Sequence, residues 1–241
     1  MIKNENQYGF VENKTGVFPL AKTFISSVFG WMFLALSITA VTAWISASSP
    51  EFISAMYKPG GGTSILGWIV MLAPLGFVIW MSAGFFRYSA STLALLFIIY
   101  SVLMGLSLSF IFLAFTGASI AKTFFITAGM FGTMAFVGYT TKTDLTKFGS
   151  IMFMGLIGII IASLVNAFMH SGTLDYIISF LGVLIFTGLT AWDVQKLKRI
   201  GSGAVEGADN TRKMIIMGAL TLYLDFINLF LFLLRFFGNR R

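Results

Sequence analysis

Two aspartates fall in parts of the sequence that are otherwise apolar. Asp193 follows directly on one apolar segment, and Asp225 lies inside another, eleven residues after Met214. At about 1.5 Å per residue, Asp225 would lie roughly 16 Å into a helix that begins at Met214, near the middle of a bilayer. A carboxylate there costs about 3 kcal/mol on insertion scales, so it has to be protonated, paired or in contact with water. Such an acid is a candidate functional residue.

The chemistry open to such a pair is proton exchange and cation binding. Two neighbouring carboxyl groups share one proton and titrate as a coupled pair. Their oxygens are also ligands that a hard cation such as Ca²⁺ prefers, so Asp193 and Asp225 form a candidate site for transient Ca²⁺ binding. Because protons and Ca²⁺ would compete for the same oxygens, the pair predicts a coupling between pH and cation passage.

The depth of the two aspartates leaves their contact open. If Asp193 lies near the membrane surface and Asp225 near its middle, straight helices would hold them more than about 10 Å apart. They meet only if the helix that contains Asp193 continues past Trp192, or if a funnel from the cytoplasmic side thins the barrier.

A polar stripe accompanies Asp225 along its helix. Gly218, Thr221, Asp225 and Asn228 are spaced by three, four and three residues, and therefore share one helical face. This face should point into the bundle or a water-filled cavity, where Thr221 and Asn228 would support the aspartate. The alternative is a structural hydrogen-bond cluster that fixes helix packing.

Arg87 stands alone between Lys58 and Lys122 as a charged residue. One interpretation makes it a cationic partner, or latch, for the aspartate pair. The other makes it an anchor at the membrane surface, with its charged end in the headgroup region.

The composition defines the kind of protein in which these residues work. The chain is 57% apolar and 10% charged, whereas soluble domains are about 45–50% apolar and about 25% charged. An ordinary soluble enzyme is therefore excluded. The absence of cysteine and the single histidine exclude thiol chemistry and sites built from several imidazoles.

Seven apolar segments are each long enough, or nearly so, to cross a membrane. They cover residues 24–45, 65–86, 92–114, 123–139, 151–168, 176–192 and 214–237. Backbone groups must be paired within lipid, so each segment should be helical. The sequence thus predicts an all-α integral membrane protein, with a cytoplasmic N-terminal tail (1–22) before a seven-transmembrane-helix bundle (23–241). The connections at 47–63 and 193–213 are predicted to be loops.

The distribution of Lys and Arg predicts the orientation. With the N-terminus in the cytoplasm, eleven basic residues fall on that side and four on the other. The expected topology has the C-terminus on the side opposite the N-terminus. The net charge of +7 is then an orientation signal, and no nucleic-acid partner is expected.

Three stretches resemble signatures of the Bax inhibitor family, the transmembrane-Bax-inhibitor-motif or YccA-type membrane proteins. Residues 220–230, LTLYLDFINLF, followed by LRFFG at 234–238, resemble its last-helix signature. Residues 188–198, GLTAWDVQKLK, resemble its sixth-helix signature, although Trp192 stands where the family often has tyrosine. Residues 138–145, GYTTKTDL, resemble the loop after helix four of bacterial members. The resemblance covers residues 20–241.

The resemblance implies a fold in which helix seven is central and the other six surround it. It further implies a proton-sensitive Ca²⁺ leak whose acid pair is Asp193 and Asp225, and whose arginine at the end of helix two is Arg87. For a bacterial member it implies location in the inner membrane and, in some cases, partnership with a membrane-bound protease.

Three functions are weighed against one another. The first is a pH-sensitive calcium leak channel, which needs no cofactor beyond Ca²⁺ as the permeant ion and is not an enzyme. The second is a non-conducting partner of a membrane protease or quality-control complex, with the tail and the 193–213 loop as contact surfaces. The third is an intramembrane aspartyl protease, which two aspartates would suit. The sequence around Asp225 lacks the Gly-x-Gly-Asp context of such proteases.

Overall fold

The computed structural model describes residues 17–58, 60, 62–205 and 208–239. Most of the predicted N-terminal tail, together with the basic residues Arg240 and Arg241, lies outside the described residues. Within the described residues the chain forms nine helices and no β-strand: α1 (Val17–Ala47), α2 (Pro50–Met56), α3 (Ile65–Ala83), α4 (Ala90–Leu108), α5 (Ile111–Ala114), α6 (Gly117–Thr140), α7 (Thr146–Met169), α8 (Gly172–Ser202) and α9 (Asp209–Phe237).

Seven spans in the described part of the chain are long and apolar enough to cross a membrane. They are α1, α3, α4 continued by α5, α6, α7, α8 and α9. The predicted class, an all-α membrane bundle of seven helices, is therefore confirmed. Each of the seven apolar segments found in the sequence corresponds to one of these spans.

The prediction of a loop over residues 193–213 is wrong. Helix α8 continues to Ser202, and α9 already begins at Asp209. The mean hydropathy falls after Trp192, but Val194 and Leu197 are buried in the bundle while Lys196 is exposed. The helix thus changes from apolar on all sides to amphipathic, a change that a search for continuous apolar runs misses.

Two smaller boundaries also differ from prediction. The connection at 47–63 contains α2, which begins after Ser49; the Ser49 hydroxyl accepts a hydrogen bond from the Phe52 amide at 3.2 Å. Serine before a proline at the first helical turn is a common helix start. The third apolar segment, predicted as one helix over 92–114, is divided at Ser109 into α4 and α5.

Helices α8 and α9 pack against each other and form the interior of the bundle. In each of them 61% of the apolar window is buried, compared with 17% for α3 and 11% for α7. Helix α9 also contacts α1, α4 and α6, whereas α8 contacts α1, α6 and α7. Because α8 shares the interior with α9, the expectation that helix seven alone is central stays unconfirmed.

The peripheral helices α3 and α7 are held from one side. The main long-helix neighbour of α3 is α4, and that of α7 is α8. These two helices therefore flank the α8–α9 pair without being enclosed themselves.

A close backbone contact fixes α8 against α6. A Cβ atom added to Gly138 of α6 would lie 2.1 Å from the Ala191 carbonyl oxygen of α8. Only glycine allows the two helices to approach so closely. The contact lies two residues before Asp193 and so determines where that aspartate enters the bundle.

Candidate functional site

The two aspartates singled out from the sequence meet inside the bundle. Asp193 on α8 and Asp225 on α9 are 7% and 5% exposed, and their carboxyl groups interact directly. The continuation of α8 past Trp192, one of the two conditions for this contact, is present in the structure. Asp193 therefore lies within a helix, nine residues before its end at Ser202.

One buried oxygen of the pair has no hydrogen-bond donor in the part of the chain that the structure describes. Oδ2 of Asp225 is buried and has no hydrogen-bond partner among the described residues. Ionised carboxylates only accept hydrogen bonds, so two of them hold together only when a proton or a cation lies between their oxygens. The geometry is therefore that of a site that takes up positive charge.

A cavity of about 750 Å³ lies beside the pair. Its walls come from α3, α7, α8 and α9, and most of its lining is apolar. The polar or charged residues in the lining are Ser163, Asp193, Lys196, Thr221, Asp225 and Asn228. The structure thus brings Thr221, Asp225 and Asn228 of the α9 stripe to one cavity, together with Asp193 from α8.

The neutral polar side chains of this cavity each donate a hydrogen bond within their own helix. Ser163 Oγ donates to the Ile159 carbonyl at 2.7 Å, and Thr221 Oγ1 donates to the Met217 carbonyl at 3.1 Å. In the same way, Asn228 Nδ2 donates to a carbonyl one turn earlier, at 2.8 Å. The two hydroxyls therefore offer acceptor oxygens to the cavity, and Asn228 offers its amide oxygen and its second N–H.

A second cavity, of about 170 Å³, extends from Asp193 toward the end of the bundle that holds the connection between α8 and α9. Asp193, Lys196 and Thr221 line both cavities. The smaller one reaches Ile200 and Met214, close to that connection. Asp193 therefore lies where two cavities adjoin, whereas Asp225 lines the larger one.

An aromatic contact bounds the large cavity at its other end. The Phe232 ring stacks on Phe186 with ring centres 5.8 Å apart, and it fills the space beside Gly182. The Arg235 guanidinium lies over the same Phe232 ring, 5.8 Å from its centre, and forms an ion pair with Asp175 at 3.1 Å. This stack lines the end of the cavity nearest the Arg235–Asp175 ion pair.

The cation that acts on Asp193 is Lys196, which was not predicted from the sequence. Lys196 Nζ lies 5.3 Å from the centre of the Trp192 ring and interacts electrostatically with Asp193. The signal was its position three residues after Asp193, since residues three apart share one side of a helix. Arg87, in contrast, is exposed and forms no ion pair with any residue that the structure describes. Its role as a latch stays a prediction.

A polar clamp holds the α6–α7 connection on α8. The Gln195 amide donates to the Thr143 carbonyl at 2.7 Å and accepts from the Leu145 amide at 2.9 Å. Arg199 pairs with Asp144 of the same connection at 2.7 Å. The clamp lies one turn beyond the aspartate pair and fixes this part of α8.

Asp144 is also close to the site, but unlike the buried pair it is exposed and has several hydrogen-bond donors. It accepts hydrogen bonds from the Thr146 hydroxyl and backbone and from Arg199, and these hold the pKa of its carboxyl well below the usual range. Because that pKa is lowered, Asp144 is ionised at and above the ordinary Asp pKa of about 3.9 and loses its charge only as the pH falls below it. It does not titrate near neutral pH.

Seven spans around a buried carboxyl pair define an α-helical integral membrane protein. The family model described as "Inhibitor of apoptosis-promoting Bax1" matches residues 21–241. The chain therefore belongs to the Bax inhibitor family, as the motif resemblance predicted.

Bacterial relatives cover nearly the whole chain. "Inner membrane protein YbhL" of Escherichia coli K12 is 49% identical over 91% of this chain and 93% of its own length. An uncharacterized protein of Rickettsia prowazekii is 46% identical over 91% of both chains. One from Borreliella burgdorferi is 45% identical over 100% of this chain and 98% of its own. The seven spans and the name of the E. coli relative support an integral inner membrane protein.

Proposed function

We propose that this protein is a pH-sensitive leak for cations, with Ca²⁺ as the permeant ion, and that Asp193 and Asp225 gate it. The observation that carries the proposal is the direct interaction of two buried carboxyl groups that line one cavity, with Asp193 also lining a second. An amide in place of either acid would satisfy a packing role at a lower desolvation cost. A pair of acids is therefore better explained by the charge it accepts.

The chemistry is a competition for the same oxygens. A proton shared between Asp193 and Asp225 holds their carboxyl groups together by a hydrogen bond. When that proton is lost, the two negative charges repel each other and attract a cation. Lys196 lines both cavities and interacts with Asp193, so it limits how much negative charge is left uncompensated. Both the separation of the carboxyl groups and the local cation concentration then depend on pH.

The ligand set favours passage over permanent binding. Ca²⁺ in tight sites takes about six to eight oxygen ligands. The pair supplies two carboxylates, to which the acceptor oxygens of Thr221 and Asn228 add along the same face. A site with so few protein oxygens holds Ca²⁺ weakly, which a conducting path requires.

The test is Ca²⁺ entry into proteoliposomes at several values between about pH 6 and about pH 8, since a coupled acid pair predicts a flux that depends on pH. Wild type is compared with the double variant Asp193→Asn/Asp225→Asn. Asp144→Asn is the matched control, since it removes an acid from the same end of the bundle that stays ionised throughout this range. We expect flux that changes with pH in wild type and in the control, and flux without pH dependence in the double variant.

Two results would overturn the proposal. Unchanged pH dependence in the double variant would remove the aspartate pair from the mechanism. Absence of flux above empty liposomes at every pH would favour the non-conducting alternative, a partner of a membrane protease or quality-control complex.

A further inference from the structure

The large cavity beside the aspartate pair opens sideways. Its rim on α3 and α7 is formed by large apolar side chains that are exposed: Leu75, Phe153, Ile160 and Leu164. In a seven-span membrane protein, such side chains at the middle of the helices face hydrocarbon. The cavity is thus accessible to the apolar part of a molecule dissolved in the bilayer.

The floor of the cavity accepts hydrogen bonds and positive charge. Oδ2 of Asp225 has no donor among the described residues, and Asp193 lies against it. The Thr221 and Ser163 hydroxyls donate within their own helices, and Asn228 uses one of its two N–H donors there. A ligand that completes this floor therefore carries N–H donors and a positive charge.

We propose that the cavity binds single-chain amphipathic amines, with the ammonium group on the aspartate pair and the alkyl chain between α3 and α7. The volume of about 750 Å³ falls within the range of about 300–1,000 Å³ that small-molecule sites occupy. Such an amine would take the place of the permeant cation and block the leak. That consequence rests on the proposed function, whereas the binding rests on the cavity itself.

The geometry also indicates the length of the amine's alkyl chain and shows which cation of the protein competes with its ammonium group. Asp225 and Phe232 are seven residues apart on α9, about 10 Å of helix, so the space beyond the carboxyl groups suits a medium-length chain. Lys196 is the cation of the cavity lining and interacts with Asp193. An added ammonium group therefore competes with Lys196 for the same charge.

The test is photolabelling of the full-length protein in lipid nanodiscs. The probe is decylamine with a diazirine near the end of its chain, and the labelled residues are mapped by mass spectrometry. Probes with the same tail and an alcohol or a carboxylate as the headgroup are the matched controls. We expect the amine probe to label α3 and α7 at the cavity rim, in a manner that excess decylamine displaces and the other two headgroups do not reproduce.

Variants separate the headgroup site from the chain site. Asp225→Asn should raise the decylamine concentration needed for displacement by about tenfold or more, since it removes a charged partner. Lys196→Gln should lower that concentration, because the competing cation is gone. Ile160→Trp should fill the rim and abolish labelling there, whereas Ile161→Trp, on the same helix but outside the cavity lining, should not.

The outcomes are distinct from those of the flux experiment. Labelling spread over all lipid-facing helices, or equal labelling by amine and alcohol, would overturn the inference even if pH-dependent Ca²⁺ flux is observed. Displaceable labelling at the rim that depends on Asp225 would support it even if no flux is found. Should Asp225→Asn fail to fold, the headgroup comparison in wild type and the Lys196→Gln variant still test whether the cavity binds the amine.

Discussion

At the scale of single residues, helix α9 has two sides of different chemistry. Tyr223 and Asp225 are two residues apart and therefore point in nearly opposite directions. On the Tyr223 side, its hydroxyl bonds Thr39 Oγ1 of α1 at 2.7 Å, and Thr39 donates to the Ser101 carbonyl of α4 at 2.9 Å. The Tyr223 and Thr39 hydroxyls thus both have acceptors, whereas Oδ2 of Asp225 has no partner among the described residues.

The Tyr223–Thr39 bond yields a stability prediction. Tyr223→Phe and Thr39→Val should each lower the free energy of unfolding, measured in mixed micelles. The coupling between them in a double-mutant cycle should be about 0.6 kcal/mol, as for other hydrogen bonds between transmembrane helices. The pH dependence of Ca²⁺ flux should persist in Tyr223→Phe, because the bond lies on the other side of α9. Additive effects of the two substitutions would contradict the assignment of this bond.

The glycine between α6 and α8 yields a second prediction. Gly138→Ala should lower the free energy of unfolding by about 1–3 kcal/mol, as overpacking does elsewhere, because the new Cβ meets the Ala191 backbone. Gly132→Ala in the same helix is the matched control, since a Cβ there meets no atom within 4 Å. Equal effects of the two substitutions on the melting temperature would show that helix propensity, and not contact, governs the site.

Some residues in and around the site could be predicted from the sequence, and others could not. Asp193 and Asp225 stood out because a carboxylate in an apolar run is costly, and that cost is visible without a structure. Thr39 and Tyr223 did not, because neither residue type is unusual in a membrane helix. Gln195 was hidden for another reason: it sits in a stretch whose polarity indicated a loop, and only its hydrogen bonds with the α6–α7 connection show its role.

At the scale of elements, the seven spans could be predicted because hydrocarbon thickness sets their length. Their ends could not, because a helix that leaves the apolar layer is stabilised by contacts with its neighbours. The last turns of α8 are held by Arg199 and Gln195, which bind the connection between α6 and α7. The short helix α2 was missed since its seven residues are too few to give a periodic pattern.

The aromatic stack between α8 and α9 yields a prediction at this scale. Phe232→Ala should raise Ca²⁺ flux in proteoliposomes several-fold, because it removes the ring that bounds the large cavity. Phe236→Ala is the control: its ring lies 4.7 Å from that of Tyr176 and does not line the cavity. Unchanged flux in Phe232→Ala would show that the barrier to the far surface lies elsewhere.

At the scale of the whole molecule, the orientation in the membrane is open to a direct test. The chain has no cysteine, so single cysteines report their side without a background. With the N-terminus in the cytoplasm, Ser48→Cys before α2 should react with an impermeant maleimide in intact cells. Ser202→Cys at the end of α8 should react only after the membrane is opened. The reverse pattern would invert the predicted topology.

The sideways opening between α3 and α7 also bears on how this protein is studied. In a bilayer, lipid covers this open side of the cavity, because no protein element does so among the described residues. A detergent micelle supplies a wall of different thickness and mobility, and single-tailed detergents share the shape of the ligands proposed for this space. Stability and binding measured in micelles will therefore describe a differently enclosed molecule from the one in the membrane.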